Sequence, residues 1–420
     1  NHARIQNDVW LVLAGGITDG GKGYTINKIG GSDMTISGDN TSTWSGGLVV
    51  SVGTLLFGNR GTDDVLFPGT TFVPSSTANA GSGDIVVNQA FTVSNGSTTA
   101  IRLNAPSNVV AGQDVLIFGS DKAYSTRVDI GTDAALSSYN LRSTTNGSLA
   151  LGIGDSGFYT QTLDQARMGN GKWGLSAYAN TFYMADTLGA SVDNTYRFLG
   201  SNGATLSLVQ NNVLTGSASV EVGRAAYDTG FQTPTSTVAI VRAYGTQDYS
   251  GNTTIFRGAD FAAIGNYFEI TNSIASPVID VYGRLNLRGA GRVTDDAGLT
   301  NTNTVNLRPG GVLRLDYSLD VNDQIVVSRL NNSNLAIGNK WGDNTALVLD
   351  GAGLNMVAAL QHYTEELVGQ ITVKGGASIL LERNSTNGGI ALITNSGIVR
   401  DGQATFSIRV NANELGLNQF

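Results

Sequence analysis

Short runs of alternating apolar and polar residues, rich in Val, Leu and Ile, recur along this chain, and Gly, Asn, Asp, Ser and Thr separate them. A period of two marks half-buried strands, and the intervening residue types favour turns. Two runs align without a gap: Val305 to Asp316, VNLRPGGVLRLD, and Ile371 to Glu382, ITVKGGASILLE. Their offset of 66 residues divides into three coils of about 22, within the period of solenoid repeats. Val305, Leu307, Leu313 and Leu315, and in turn Ile371, Val373, Ile379 and Leu381, then point inward, and the glycine-containing stretch forms a corner. The same device recurs around Gly53, Gly283 and Gly351, where the inward parity changes so that the apolar side stays inside.

Asn-Gly and Asp-Gly pairs between equal strands, the usual hairpin signal, are few, which favours parallel coils over a flat hairpin sheet. The expected fold is all-β, a parallel β-helix running through residues 1–420 as a single solenoid. At about 4.8 Å per coil it predicts a rod on the order of 90 Å long. The pattern is less regular at about 137–200, where Tyr159, Trp173, Tyr178, Phe182 and Tyr183 gather among Gly and Ser. That stretch reads as solenoid with longer protruding loops, or as a small inserted subdomain. Met356 to Val368 has apolar residues near helical spacing and reads equally as a short helix or as an irregular corner.

Composition narrows the class. Fifty-five glycines with only six prolines and 14% charged residues fit neither collagen nor a charged disordered chain, and 41% hydrophobic residues support a core. The absence of cysteine leaves stability to core burial and hydrogen bonding. A formal charge of −8 without clustered Lys and Arg argues against a nucleic-acid partner. No run approaches the ~18 apolar residues of a membrane helix, so no membrane insertion is expected.

Chemistry is sparse in the sequence. Asp63 with Asp64, and Asp295 with Asp296, are the available carboxylate pairs, but adjacent strand residues point to opposite faces and do not aim at one glycosidic bond. His2 and His362 are the only histidines, so no His-based triad or metal cluster, and no cofactor, is expected. Glu365 and Glu366 beside His362 read most simply as a solvated loop or strand edge. Asp19 and Asp39, set among glycines, offer oxygen ligands for calcium, yet the nine-residue repeat of calcium-binding β-rolls is missing. Trp173 and Tyr178 are candidates for stacking on surface glycans, against the alternative that they pack under a loop. Asn-rich coils suggest amide ladders along the stack.

The run Lys28 to Asn59, KIGGSDMTISGDNTSTWSGGLVVSVGTLLFGN, resembles the autotransporter-associated β-strand repeat of bacterial passenger domains. The likeness lies in the order Lys-x-Gly, a strand, Ser-Gly-Asp-Asn-Thr, Gly-Gly, a second strand, then Gly-Thr-Leu. Echoes occur at 196–208, 214–223, 313–325 and 365–382. The resemblance implies a right-handed β-helix exported to the cell surface, and it brings no catalytic residue with it. The expected role is an extracellular structural or adhesive solenoid and not an enzyme; the alternative is a polysaccharide lyase or hydrolase on the same fold. Near the two ends Trp10, Leu11 and Leu13, and Phe406, Ile408 and Val410, continue the strand pattern without a polar cap. Other copies of the chain, or adjoining solenoid segments, are therefore the expected partners of these coils.

Overall fold

In a computed structural model of the chain, the described residues are 2–60, 158–223, 239–264, 274–288, 304–318, 346–358, 364–383 and 390–411, less 41, 42, 161, 169, 170, 178, 201, 202 and 275, together with the strands of 72–151. They are almost entirely strand; the 3-10 turn Gln165–Arg167 is the one helical element among them. The chain forms two compact units, one reaching Leu206 and one beginning at Ser207. Each is built as a stack of parallel coils.

In the first unit, Ala3–Ile5, Ile26–Lys28, Leu48–Val50, Ile85–Asn88, Asp114–Phe118 and Asn140–Ser143 form one parallel sheet. Leu11–Leu13, Met34–Ile36, Thr54–Arg60, Thr99–Leu103, Thr126–Ile130, Ser148–Leu151 and Gly174–Ala177 follow one another in a second. Strands consecutive in the chain thus alternate between sheets, which is how a coil is wound. Phe72–Pro74 pairs antiparallel with Thr54–Arg60, the one antiparallel pairing among the described residues.

The second unit repeats the scheme. Ser219–Val222, Thr253–Ile255, Val278–Val281, Thr304–Leu307, Leu347–Asp350, Ile371–Lys374 and Ile398–Arg400 make one sheet. Ile240–Ala243, Asp260–Ile264, Arg284–Arg288, Val312–Asp316, Gly353–Val357, Gly376–Glu382 and Thr405–Asn411 make the other. Thr364–Val368 pairs with Ile390–Thr394.

The predicted inward columns are present. Leu285, Leu313, Leu354 and Ile379 lie in one register, and all four are buried. Leu307, Leu349 and Val373 form a second buried column. Val305 and Leu381, placed inward from the sequence, are only half-buried. The 66-residue echo is real, but it spans two coils and not three: Leu307 to Leu349 is 42 residues and Leu349 to Val373 is 24. Residues 319–345 fall within that first step, which explains why a uniform 22-residue period miscounts it. Paired positions elsewhere are typically 20–30 residues apart, as with Ile26 and Leu48 or Leu285 and Leu313.

Corners occur where the glycines predicted them. At Gly53 the chain passes from Leu48–Val50 to Thr54–Arg60 with φ of +75°, and a Cβ there would lie 2.6 Å from Lys28 Nζ and 2.7 Å from two carbonyl oxygens. Gly283 needs its missing side chain for space alone, since a Cβ would meet the carbonyls of Phe256 and Ala259 at 2.3 and 2.4 Å. Of Met356 to Val368, the described ends are strand, so the helical reading fails there; residues 359–363 lie outside the described set. The described part of 158–200 is regular coil with buried Tyr159, Leu163, Tyr183 and Phe198.

Amide side chains stabilise the stack differently from the expected ladders. Gln165, fully buried, accepts from the Arg197 N–H at 2.9 Å and donates to the Arg197 carbonyl at 2.7 Å, which reproduces a strand pairing with a side chain. Gln247 accepts from Leu214 N–H and donates to the Gln210 and Gly245 carbonyls. Asn7 donates to the Ser32 and Asp33 carbonyls of the neighbouring coil. Corners leave backbone groups outside the ladders, and these amides satisfy them one at a time.

Candidate functional site

The sequence-predicted association residues occupy two coil faces. Ile390–Thr394, Ile398–Arg400 and Thr405–Asn411 form the last described coil, and each pairs on one side only among the described residues. Its inward positions continue the core columns. Ile398 follows Ile371, and Ile408 follows Ile379. Yet Ile398 is 46% and Ile408 43% exposed, whereas Ile371 and Ile379 are buried. Phe406 and Val410, on the same strand, are half-buried. Chemistry and parity are unchanged; what differs is that among the described residues no further coil covers the outer side. Among the described residues the outer ladder side of Thr405–Asn411 has no strand partner, and such a row of backbone donors and acceptors is of the kind that templates strand addition.

The first described coil shows the same condition in milder form. Leu11 and Leu13 stack on Met34 and Ile36, which are fully buried, but are themselves only half-buried. Trp10 is half-buried as well, and its indole N–H donates to Thr35 Oγ1 at 2.7 Å, which fixes the ring against the second coil. Val9 stands 75% exposed beside it.

The aromatic candidates separate. Trp173 is fully buried, so its faces are spent on the core and the packing alternative describes it; Tyr178 lies outside the described residues. Sequence reasoning missed the exposed aromatic pair. Phe158 and Phe182 stack at 5.4 Å on the outer surface of adjacent strands, while Tyr159 and Tyr183 stack inside them. Strand alternation alone predicts this division from the Phe-Tyr dipeptides, had the register been known. Stacked rings turn their faces toward each other, so this pair offers mainly ring edges to a ligand.

Of the titratable candidates, Asp63, Asp64, Asp295, Asp296 and His362 lie outside the described residues, and His2 is exposed. Glu366, read from sequence as solvated, is instead fully buried, where it accepts a hydrogen bond from the Tyr317 hydroxyl. The Asp19 carboxylate accepts from Gly21 N–H, Gly23 N–H, Ser45 N–H and Ser45 Oγ at 2.9–3.1 Å. Both oxygens thus tie a glycine-rich turn to the next coil, and Asp39 is exposed.

Lys28, the first residue of the repeat-like run, is a charged side chain within the core. It is fully buried and donates to the Gly30 carbonyl at 2.6 Å and the Val52 carbonyl at 2.7 Å, bridging two coils at the Gly53 corner. Burial pulls its ammonium down to about 8, and nearby Asp33 pulls weakly the other way. No protein-family model, curated protein or solved structure matches this chain.

Proposed function

We propose that this protein is an extracellular structural or adhesive β-solenoid whose coil faces join copies into fibres. The observation that carries the reading is the open core column at Ile398 and Ile408, continuous with buried Ile371 and Ile379. Exposed apolar side chains in a core register, beside a strand edge unpaired among the described residues, call for one more coil. A second copy supplies it through its own half-buried Leu11 and Leu13 and the strands that carry them. Contact between these unlike faces is head-to-tail, and where its rotation does not close, repetition yields an open filament.

Export to a bacterial surface rests on the resemblance of Lys28 to Asn59 to passenger-domain repeats, and on a core that uses no cysteine. The role is proposed as non-catalytic, because the histidine count and the spacing of the aspartates offer no acid–base constellation. Light scattering and electron microscopy of the 420-residue chain should show rods that lengthen with concentration. Ile398→Asp with Ile408→Asp should abolish that growth. A parent chain that stays monomeric at high concentration refutes the reading.

A further inference from the structure

We propose that the outward face of the strands from Ile240–Ala243 through Gly353–Val357 binds an acidic polysaccharide, whose anionic groups meet arginines and whose hydroxyls reach acceptors that the protein leaves without a donor. This gives the adhesive side of the proposed role a ligand, and it does not depend on joining of coil faces.

Parity sets the face. Leu285, Leu287, Leu313, Leu315, Leu354 and Met356 are buried inward, so the alternate residues Arg284, Asn286, Arg314 and Asn355 point outward. Among the described residues of these strands, four arginines, Arg242, Arg284, Arg288 and Arg314, face two carboxylates, Asp260 and Asp316. The strip is therefore basic on a chain of net charge −8, which makes it the place where an anion is drawn. Arg284 Nη1 lies 3.2 Å from Asp260 Oδ2, and Arg314 turns to Asp316, its Nη2 at 3.2 Å from Oδ2. Arg242 makes no hydrogen bond or ion pair among the described residues and reaches Asp260 only through space, which leaves its N–H donors open to a ligand. Arg284, Arg242 and Arg314 all act on the Asp260 carboxyl, opposing the larger upward push of burial.

The second observation concerns the acceptors. Asp260 Oδ1, Asn286 Oδ1 and Asn355 Oδ1 are covered and without a hydrogen-bond partner on this one face, but the residues themselves are only half-buried, so a turn of each side chain brings its oxygen to a ligand at the surface. Arg314 stands between Asn286 and Asn355 in the register, yet its donors go to Asp316 and neither amide oxygen is served. Orphaned buried acceptors are costly, and three on one face call for donors from outside. A phosphodiester backbone brings acceptors alone. A peptide brings donors at strand spacing but needs a free sheet edge, and this is a sheet face. A sugar chain bearing carboxylates or sulfates supplies both hydroxyl donors and anions, repeated on a scale close to the ~4.8 Å step between coils.

The test uses the full chain, with affinity electrophoresis and calorimetry against polygalacturonate, a sulfated galactan, neutral dextran and duplex DNA at ~0.15 M salt. Binding to polygalacturonate or to the sulfated galactan is expected, and the preferred one identifies carboxylate or sulfate as the anion. Arg242→Gln should weaken it about tenfold, and Asn286→Ala with Asn355→Ala by a similar factor. Neither change should lower the melting temperature by more than a few degrees, because Arg242 meets Asp260 only through space and the two amide oxygens accept no hydrogen bond. No binding to either acidic polymer, equal binding to DNA, or unchanged affinity in both variants would overturn the proposal. A chain that binds the glycan but remains monomeric upholds this site and refutes the fibre.

Discussion

Ile379 and Ile408 occupy the same column of the same sheet, one coil apart, with the same side chain and the same inward parity. The first is 2% exposed and the second 43%. In a globular core a residue is buried by elements from several directions, but in a solenoid two neighbouring coils do most of the covering. Burial at a given position thus measures whether the next coil is present, and stability is close to a sum of local steps. The lesson extends to Leu11 and Leu13, half-buried over fully buried Met34 and Ile36. At both places an inward register keeps the composition of the core while its exposure rises, and the association proposed above rests on that contrast.

The sharpest way to break this comparison is to put charge in the middle of a column. Leu313→Asp places a carboxylate between Leu285 and Leu354, all fully or almost fully buried, and should cost at least about 4 kcal/mol, the scale of an unpaired buried charge. Denaturant unfolding should show it directly. A parent-like midpoint would mean that the column is not formed. Truncation probes the same contrast more gently. Ile379→Ala should cost about 2–4 kcal/mol, whereas Ile408→Ala, already half in water, should cost under about 1 kcal/mol in the isolated chain. Equal losses would show that Ile408 is covered in solution.

The columns were legible in the sequence because strand alternation has a period of two and needs no knowledge of coil length. Corner glycines were legible at Gly53, Gly283 and Gly351 because each marks a change of parity. Coil count was not, since the step from Leu307 to Leu349 takes 42 residues and nothing in the 66-residue echo distinguishes two unequal coils from three equal ones. The strands that carry Leu11, Leu13, Ile408 and Val410 were legible for the same reason as the columns, as alternating runs that continue them. The orphaned acceptors on Asn286 and Asn355 could not be read at all: an outward asparagine is unremarkable until its neighbours in the register are known to leave its oxygen without a donor. The sequence leaves Trp173 between glycan stacking and packing under a loop, and packing is what the structure shows; its inward parity depends on the register of its coil. Glu366 was misplaced for a similar reason, its partner Tyr317 being 49 residues away.

A last test asks what a column tolerates, because the column that contains Ile5 and Val50 holds Lys28 between them. The folded ammonium sits at about 8, against an ordinary value of 10.5, and burial is the chief cause. Below about pH 8 the lysine is protonated in both the folded and the unfolded chain, so the cost of its burial is present in full. Between pH 8 and 10.5 the unfolded chain holds more protons than the folded one, and linkage then requires stability to rise with pH. The whole displacement is worth about 3 kcal/mol at most. Neutral Lys28 keeps two N–H donors for Gly30 and Val52, so the bridge between coils survives deprotonation. Two buried tyrosines set the upper limit of the window. Burial pushes Tyr183 up to about 12 and raises Tyr249 further, so above about pH 10 the unfolded chain ionises first and stability falls again. The expected profile is therefore a gain from pH 8 to about 10 followed by a loss, read as the urea midpoint across that range. Lys28→Met should erase the gain and leave the loss. A parent midpoint that falls steadily from pH 8 would show that Lys28 is charged in the folded core throughout.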